Sequence, residues 1–123
     1  MRKQIRVSIA SPPTEPGPEK RKVVYIAGPI TGVPDHQRAF NQAEDELMFC
    51  GYIPLNPSDL PKGMTKAQYM RICFAMIDSA DAVLVLPGWE KSYGAGVEVD
   101  YTNYVGKPLA GSMYELEEVL KNA

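Results

Sequence analysis

Asp81-Ala82-Val83-Leu84-Val85-Leu86-Pro87-Gly88-Trp89-Glu90-Lys91-Ser92-Tyr93-Gly94-Ala95-Gly96-Val97-Glu98 is a short apolar run that breaks into a glycine-bearing loop and then into helix-compatible sequence. A β-branched apolar run bounded by turn residues reads as a buried strand. Val23-Val24-Tyr25-Ile26-Ala27-Gly28-Pro29-Ile30-Thr31-Gly32 has the same form. Two such strands, each feeding a loop and then a helix, imply βαβ units and a parallel sheet. In open sheets of this kind ligands bind outside the carboxyl ends of the strands. The two loops are therefore the first place to look for a site.

Working outward, Asp35 is positioned to cap a helix in which Phe40, Ala43, Leu47 and Cys50 recur at spacings of three and four, and Gly51 ends it. Tyr52-Ile53-Pro54 is short and extended and enters an Asn56-Pro57 loop. Thr65 and Gln68 form a capping box for a second helix, with Tyr69, Ile72, Cys73, Met76 and Ile77 on its inner face. A third helix spans Gly94 to Val105, closed by Gly106. Lys107–Ala110 forms a last short strand, and Tyr114–Lys121 a terminal helix. The expected fold is a three-layer α/β domain, Rossmann-like or flavodoxin-like, with a parallel sheet of four or five strands and helices on both faces.

The 123 residues suffice for one domain. That domain is expected over residues 23–123. Residues 1–22 stand apart: Pro12, Pro13, Pro16, Gly17 and Pro18 precede Lys20-Arg21-Lys22, the composition of a flexible tail. Ile5, Val7 and Ile9 alternate with Arg6 and Ser8, which also admits an edge strand or a partner-binding arm.

A net charge of −2 gives no electrostatic case for binding a nucleic-acid polymer or a membrane surface. No apolar stretch approaches the roughly 20 residues of a membrane span. Cys50 and Cys73 lack metal-site or CxxC spacing and are expected to be reduced core thiols of a cytoplasmic protein. With His36 as the only histidine, a histidine metal site and a Ser-His-Asp triad are both disfavoured, and neither metal nor cofactor is expected. GxxxxGK[ST] is absent, as is GxGxxG after the first strand, so neither common nucleotide fingerprint applies.

Within the loops, Gly28-Pro29-Ile30-Thr31-Gly32 makes a tight turn whose backbone N–H groups and Thr31 hydroxyl could meet a small polar ligand; a purely structural turn is the plainer reading. Trp89 and Tyr93 could stack on a ring. Glu98 lies one helical turn beyond Gly94, where a helix N-terminus favours negative charge, so it is expected to be ionised at neutral pH. On spacing alone it reads equally as a nucleophile and as a solvated helix glutamate.

Tyr25-Ile26-Ala27-Gly28-Pro29-Ile30-Thr31-Gly32, Asn56-Pro57, Asp81, Leu86-Pro87-Gly88-Trp89 and Ser92-x-Gly94-Ala95-x-x-Glu98 together resemble the DUF4406 family. These are small phage- and bacteria-associated proteins of the nucleoside 2-deoxyribosyltransferase-like superfamily. The resemblance covers about residues 23–110. It implies that Glu98 matches the nucleophile that attacks C1′ of a nucleoside or nucleotide, and that Tyr25 matches the strand-end tyrosine that orients it. It further implies substrate contacts from Gly28, Pro29, Ile30, Thr31, Gly32, Asn56, Asp81, Gly88, Trp89, Ser92, Gly94 and Ala95. A homodimer or higher homo-oligomer is also implied, in the cytoplasm, or in that of the host if a phage encodes the chain. The superfamily's enzymes usually carry an aspartate eight or nine residues ahead of the Asp81 position, where this chain has Ile72 and Cys73. Asp78 and Asp81 match that acid poorly. The leading expectation is an N-glycosyl enzyme, a deoxyribosyltransferase or a hydrolase. The alternatives are a catalytically inactive nucleotide-binding or sequestering module of the same fold, and a structural protein that works through its tail.

Overall fold

The computed structural model of the chain describes residues 21–121. The tail expected over residues 1–22 therefore lies almost wholly outside the described residues. Four strands, β1 (Val23–Ala27), β2 (Ile53–Leu55), β3 (Ala82–Val85) and β4 (Leu109–Ala110), alternate with four helices. The helices are α1 (His36–Phe49), α2 (Lys66–Ser79), α3 (Tyr93–Tyr104) and α4 (Met113–Lys121). All strand pairs are parallel, in the order β2-β1-β3-β4. The expected α/β fold is therefore present, with four strands.

Alternation along β1 and β3 divides the core into two layers, because successive side chains of a strand point to opposite faces. Val24, Ile26, Ala82 and Leu84 pack with Phe40, Ala43 and Leu47 of α1 and Leu116 of α4. Tyr25, Ala27, Val83 and Val85 face Cys73 and Ile77 of α2 and Val99 of α3. The sheet is sandwiched between α1 and α4 on one side and α2 and α3 on the other. Among the described residues no helix is long and apolar enough to cross a membrane.

The capping box of α2 is complete: Gln68 N donates to Thr65 Oγ1 at 3.1 Å, and Thr65 N donates to Gln68 Oε1 at 2.9 Å. Gly51 ends α1 in the left-handed conformation at φ +89°. Three local expectations need correction. Asp35 makes no side-chain cap; its backbone carbonyl accepts from Arg38 N and Ala39 N instead. Cys50 is exposed, because α1 has already ended when the chain turns toward Gly51, so only Cys73 is a core thiol. Ile72 points outward, since Cys73 and Ile77 alone define the fully buried line of α2.

Candidate functional site

The strand order reverses between β1 and β3: the chain leaves β1 toward β2 on one side and β3 toward β4 on the other. This switch point is where an open α/β sheet forms its ligand crevice. Both glycine loops emerge here, and they touch. Leu86 N donates to Ala27 O at 2.8 Å. A Cβ on Gly28 would lie 3.0 Å from the Leu86 Cβ, so only glycine lets the first loop lie this close to the second. Gly88 sits at φ +89° and starts the short 3-10 helix Trp89–Lys91, a backbone conformation that residues with a Cβ adopt at a cost.

Ser92 then caps α3, its Oγ accepting from Ala95 N at 3.2 Å. The cap sets the helix rotation. Tyr93, Gly96, Val97 and Asp100 line the outer side, along a hollow of about 420 Å³ that also includes Glu90, Lys91 and Ser92. Ala95, Glu98, Val99 and Thr102 turn inward. Thr102 Oγ1 donates to the Glu98 backbone carbonyl at 2.7 Å, which fixes the turn that carries the carboxylate. A second hollow of about 450 Å³, lined by Asp45, Glu46, Phe49, Cys50 and Met113, belongs to the opposite face of the sheet.

Glu98 is only 5% exposed, so the solvated-glutamate reading fails. Beneath it lies Tyr25, fully buried at mid-strand in β1 rather than at the strand tip. The Tyr25 hydroxyl, the Cys73 thiol and the Glu98 carboxyl lie close enough to shift one another's proton equilibria. The Tyr25 hydroxyl nevertheless closes no hydrogen bond of proper geometry. A buried hydroxyl without a partner is costly and rare in a settled core. Here the polar groups that act on it are the Glu98 carboxyl and the Cys73 thiol.

Burial pushes the Glu98 carboxyl up from 4.5 to about 7, and the Tyr25 hydroxyl and Cys73 thiol, facing it as donors, pull it part of the way back. The expectation of a fully ionised Glu98 is thereby corrected: the loss of water around the carboxylate outweighs the field of the helix N-terminus. Burial likewise pushes the Cys73 thiol up to about 12, so it stays protonated. Tyr25 and Tyr69 are both raised, first by burial, and both hold their protons.

The other expected site residues divide. Gly28, Pro29, Ile30, Thr31, Gly32, Gly88, Trp89, Ser92, Gly94 and Ala95 lie in the two loops or the first turn of α3, at the carboxyl edge. Thr31 and Gly32 are exposed, Trp89 is half-buried against the Tyr25 cluster, and Tyr93 is exposed. Asn56 follows β2 at the same edge, but its amide is already engaged. Nδ2 donates to Glu44 and Asn41, and Oδ1 accepts from Ser58 N and Ser58 Oγ. It therefore braces the β2 loop against α1. Asp81 is misplaced by the sequence reading. Immediately before β3 it lies at the amino edge, where Val23 N donates to its Oδ2 at 2.8 Å and Asp81 N donates to Val23 O at 2.7 Å. Asp78 is also at that edge, accepting from the Tyr101 hydroxyl at 2.6 Å.

The sequence reading missed the polar roles of Cys73 and Tyr69. Their spacing of four on α2 was visible as an inner face, but nothing in it distinguishes a core thiol from one facing a carboxylate. Thr102, four residues after Glu98, was missed for the same reason.

Fold and site define an α/β domain of the deoxyribosyltransferase-like, Rossmann-like kind, with a buried glutamate–tyrosine pair at its switch point. Residues 22–110 match the family model described as a domain of unknown function (DUF4406), and the chain belongs to that family. Among solved structures it is similar to a 2-desoxiribosyltransferase from Leishmania mexicana, with 26% identity and a TM-score of 0.59. The match covers 72% of this chain and 61% of that one, so the chain spans about three fifths of the length of its structural relative. No match is found among curated proteins.

Proposed function

We propose that this protein cleaves the N-glycosidic bond of a nucleoside or nucleotide, with Glu98 as the nucleophile. The observation that carries the reading is the buried Glu98 carboxyl over the unpartnered Tyr25 hydroxyl at the β1/β3 switch point. In its ionised form the carboxylate attacks C1′ and the base departs through an oxocarbenium-like transition state. Water or a second base then displaces the carboxylate, with retention overall. Tyr25 orients the carboxylate, and the two loops supply backbone N–H groups to the sugar or to a 5′-phosphate. Trp89, packed against the cluster that holds Tyr25, provides a ring face for the base, whereas Tyr93 lies on the outer side of α3. The name of the Leishmania protein, a desoxiribosyltransferase, agrees with this chemistry.

A second reading, a nucleotide-binding module without turnover, is favoured by one observation: Cys73, not a carboxylic acid, faces Glu98. Assembly belongs to the same proposal. The α2 face expected to pair, with Tyr69, Met70 and Cys73, is turned largely inward. Cys73 is fully buried, and Tyr69 and Met70 pack on the inner cluster while keeping part of their surface open, so that part and Ile72, 36% exposed, would meet a second copy of the chain. Incubation with a nucleoside and nucleotide panel, with and without a free second base, separates the readings by chromatography. Base exchange means transferase, release without acceptor means hydrolase. Silence together with ligand-dependent thermal stabilisation replaces the enzyme reading by the binding module.

A further inference from the structure

The groups that face Glu98 are weak acids. Tyr25, Cys73 and Tyr69 surround it from β1 and α2, and all three are held in their protonated forms by burial. Of the carboxylates on the neighbouring elements, Asp59 after β2, Glu90 in the second loop and Asp100 on the outer face of α3 are solvent-exposed, Glu44 of α1 is half-buried and taken up by the Asn56 amide at 2.9 Å, and Asp78 and Asp81 lie at the opposite edge of the sheet. None of these acts on the proton equilibrium of Glu98 or Tyr25. Among the described residues, then, the nucleophile has no carboxylic acid beside it.

That arrangement matters because bases differ in what they need to leave. A neutral purine or pyrimidine N-glycoside breaks to give an anionic heterocycle, which is a poor leaving group unless a positioned acid protonates it. A quaternised heterocycle leaves as a neutral molecule and needs no proton. Resting on the glycosyl reading above, we propose that the substrate is an N-glycoside of a formally cationic heterocycle, a pyridinium or N7-alkylated purine nucleoside or nucleotide.

The step balances without an acid. A Glu98 Oε lone pair forms the bond to C1′, the C1′–N bond breaks, and its electron pair cancels the positive charge on the ring nitrogen. Water then forms a bond to C1′, the C1′–O bond to Glu98 breaks, and the water proton passes to solvent. The surroundings suit a cationic ring. The Glu98 carboxylate attracts it, and half-buried Trp89, packed against the cluster that holds Tyr25 and Cys73, offers an aromatic face. Cations bind over such faces, most strongly over tryptophan.

Matched pairs with the same sugar test the proposal on the full chain: 7-methylguanosine against guanosine, and nicotinamide riboside and its 5′-phosphate against uridine and its 5′-phosphate. Base release is read by chromatography after subtraction of the uncatalysed rate. Cationic substrates are expected to show kcat/KM at least 100-fold above their neutral partners. Cys73→Asp, which supplies an acid, is expected to raise release from guanosine at least tenfold, and Cys73→Ser is not. Should Cys73→Asp fail to fold, the wild-type pairs still decide. Equal or faster release from the neutral nucleosides overturns the cationic class and leaves the glycosyl reading standing. Release from neither class overturns both.

Discussion

At the scale of the residue, one carboxylate stripped of its solvent governs the site. Glu98 is 5% exposed and its carboxyl is pushed up from 4.5 to about 7 by burial. Only the ionised form attacks carbon, so kcat/KM for base release is expected to rise with pH through about 7 and then level off, and a flat profile between pH 5.5 and 8.5 contradicts it. The same burial has a cost in stability. Below about pH 4.5 both folded and unfolded chains hold the proton and the cost vanishes; it grows as pH rises and is complete above about 7. The full difference corresponds to about 3 kcal/mol. Glu98→Gln carries no charge, so its unfolding free energy relative to wild type should improve by about 1–3 kcal/mol between pH 5 and pH 8 in urea titrations. A difference that does not change with pH would refute the buried-charge argument. In turnover the same variant should lose several powers of ten, because only positioning by the pocket remains. Tyr25→Phe should lose less, about 1–3 kcal/mol of orientation.

At the scale of the element, the site depends on two loops held in contact and one helix held at a fixed rotation. Gly28→Ala places a methyl 3.0 Å from the Leu86 Cβ, which is anchored to its own backbone and has little room to give. It is expected to cost about 1–3 kcal/mol in chemical denaturation and to weaken turnover more than Thr31→Ala, which touches only the exposed turn. Equal stability of Gly28→Ala and wild type would mean that the loops are not packed as described. The elements themselves were legible in the sequence. The apolar runs at Val23 and Ala82, the Thr65–Gln68 box and Gly51 each carry a local signal that tertiary packing had no reason to overrule. What was not legible is direction. Asp81 is a polar residue next to a strand, and nothing local says that it ties the amino edge rather than lining the carboxyl edge. Glu98 lies near a helix start, and the sequence shows the helix field but not the burial that overwhelms it. Cys50 continues the helical spacing of Phe40, Ala43 and Leu47, yet the helix ends one residue too soon to bury it.

At the scale of the whole molecule, the parallel order β2-β1-β3-β4 brings residues 73 positions apart, Tyr25 and Glu98, to the same side of one sheet. The same topology leaves Ile72 of α2 exposed on the outside of the α2–α3 layer. A homodimer or higher assembly burying more than about 1,000 Å² is expected; sedimentation at micromolar concentration checks it, and a monomer contradicts it. Above all of this stands the claim that Glu98 forms a bond to an anomeric carbon. Its most direct test is intact-protein mass spectrometry after incubation with a 2′-fluorinated nucleoside. The fluorine disfavours the oxocarbenium-like transition state and slows release of the covalent intermediate. One added fluorosugar per chain is expected, located on Glu98 by peptide mapping and absent from Glu98→Gln. Adduct on another residue, or base release from the unfluorinated nucleoside with Glu98→Gln as active as wild type, would contradict it.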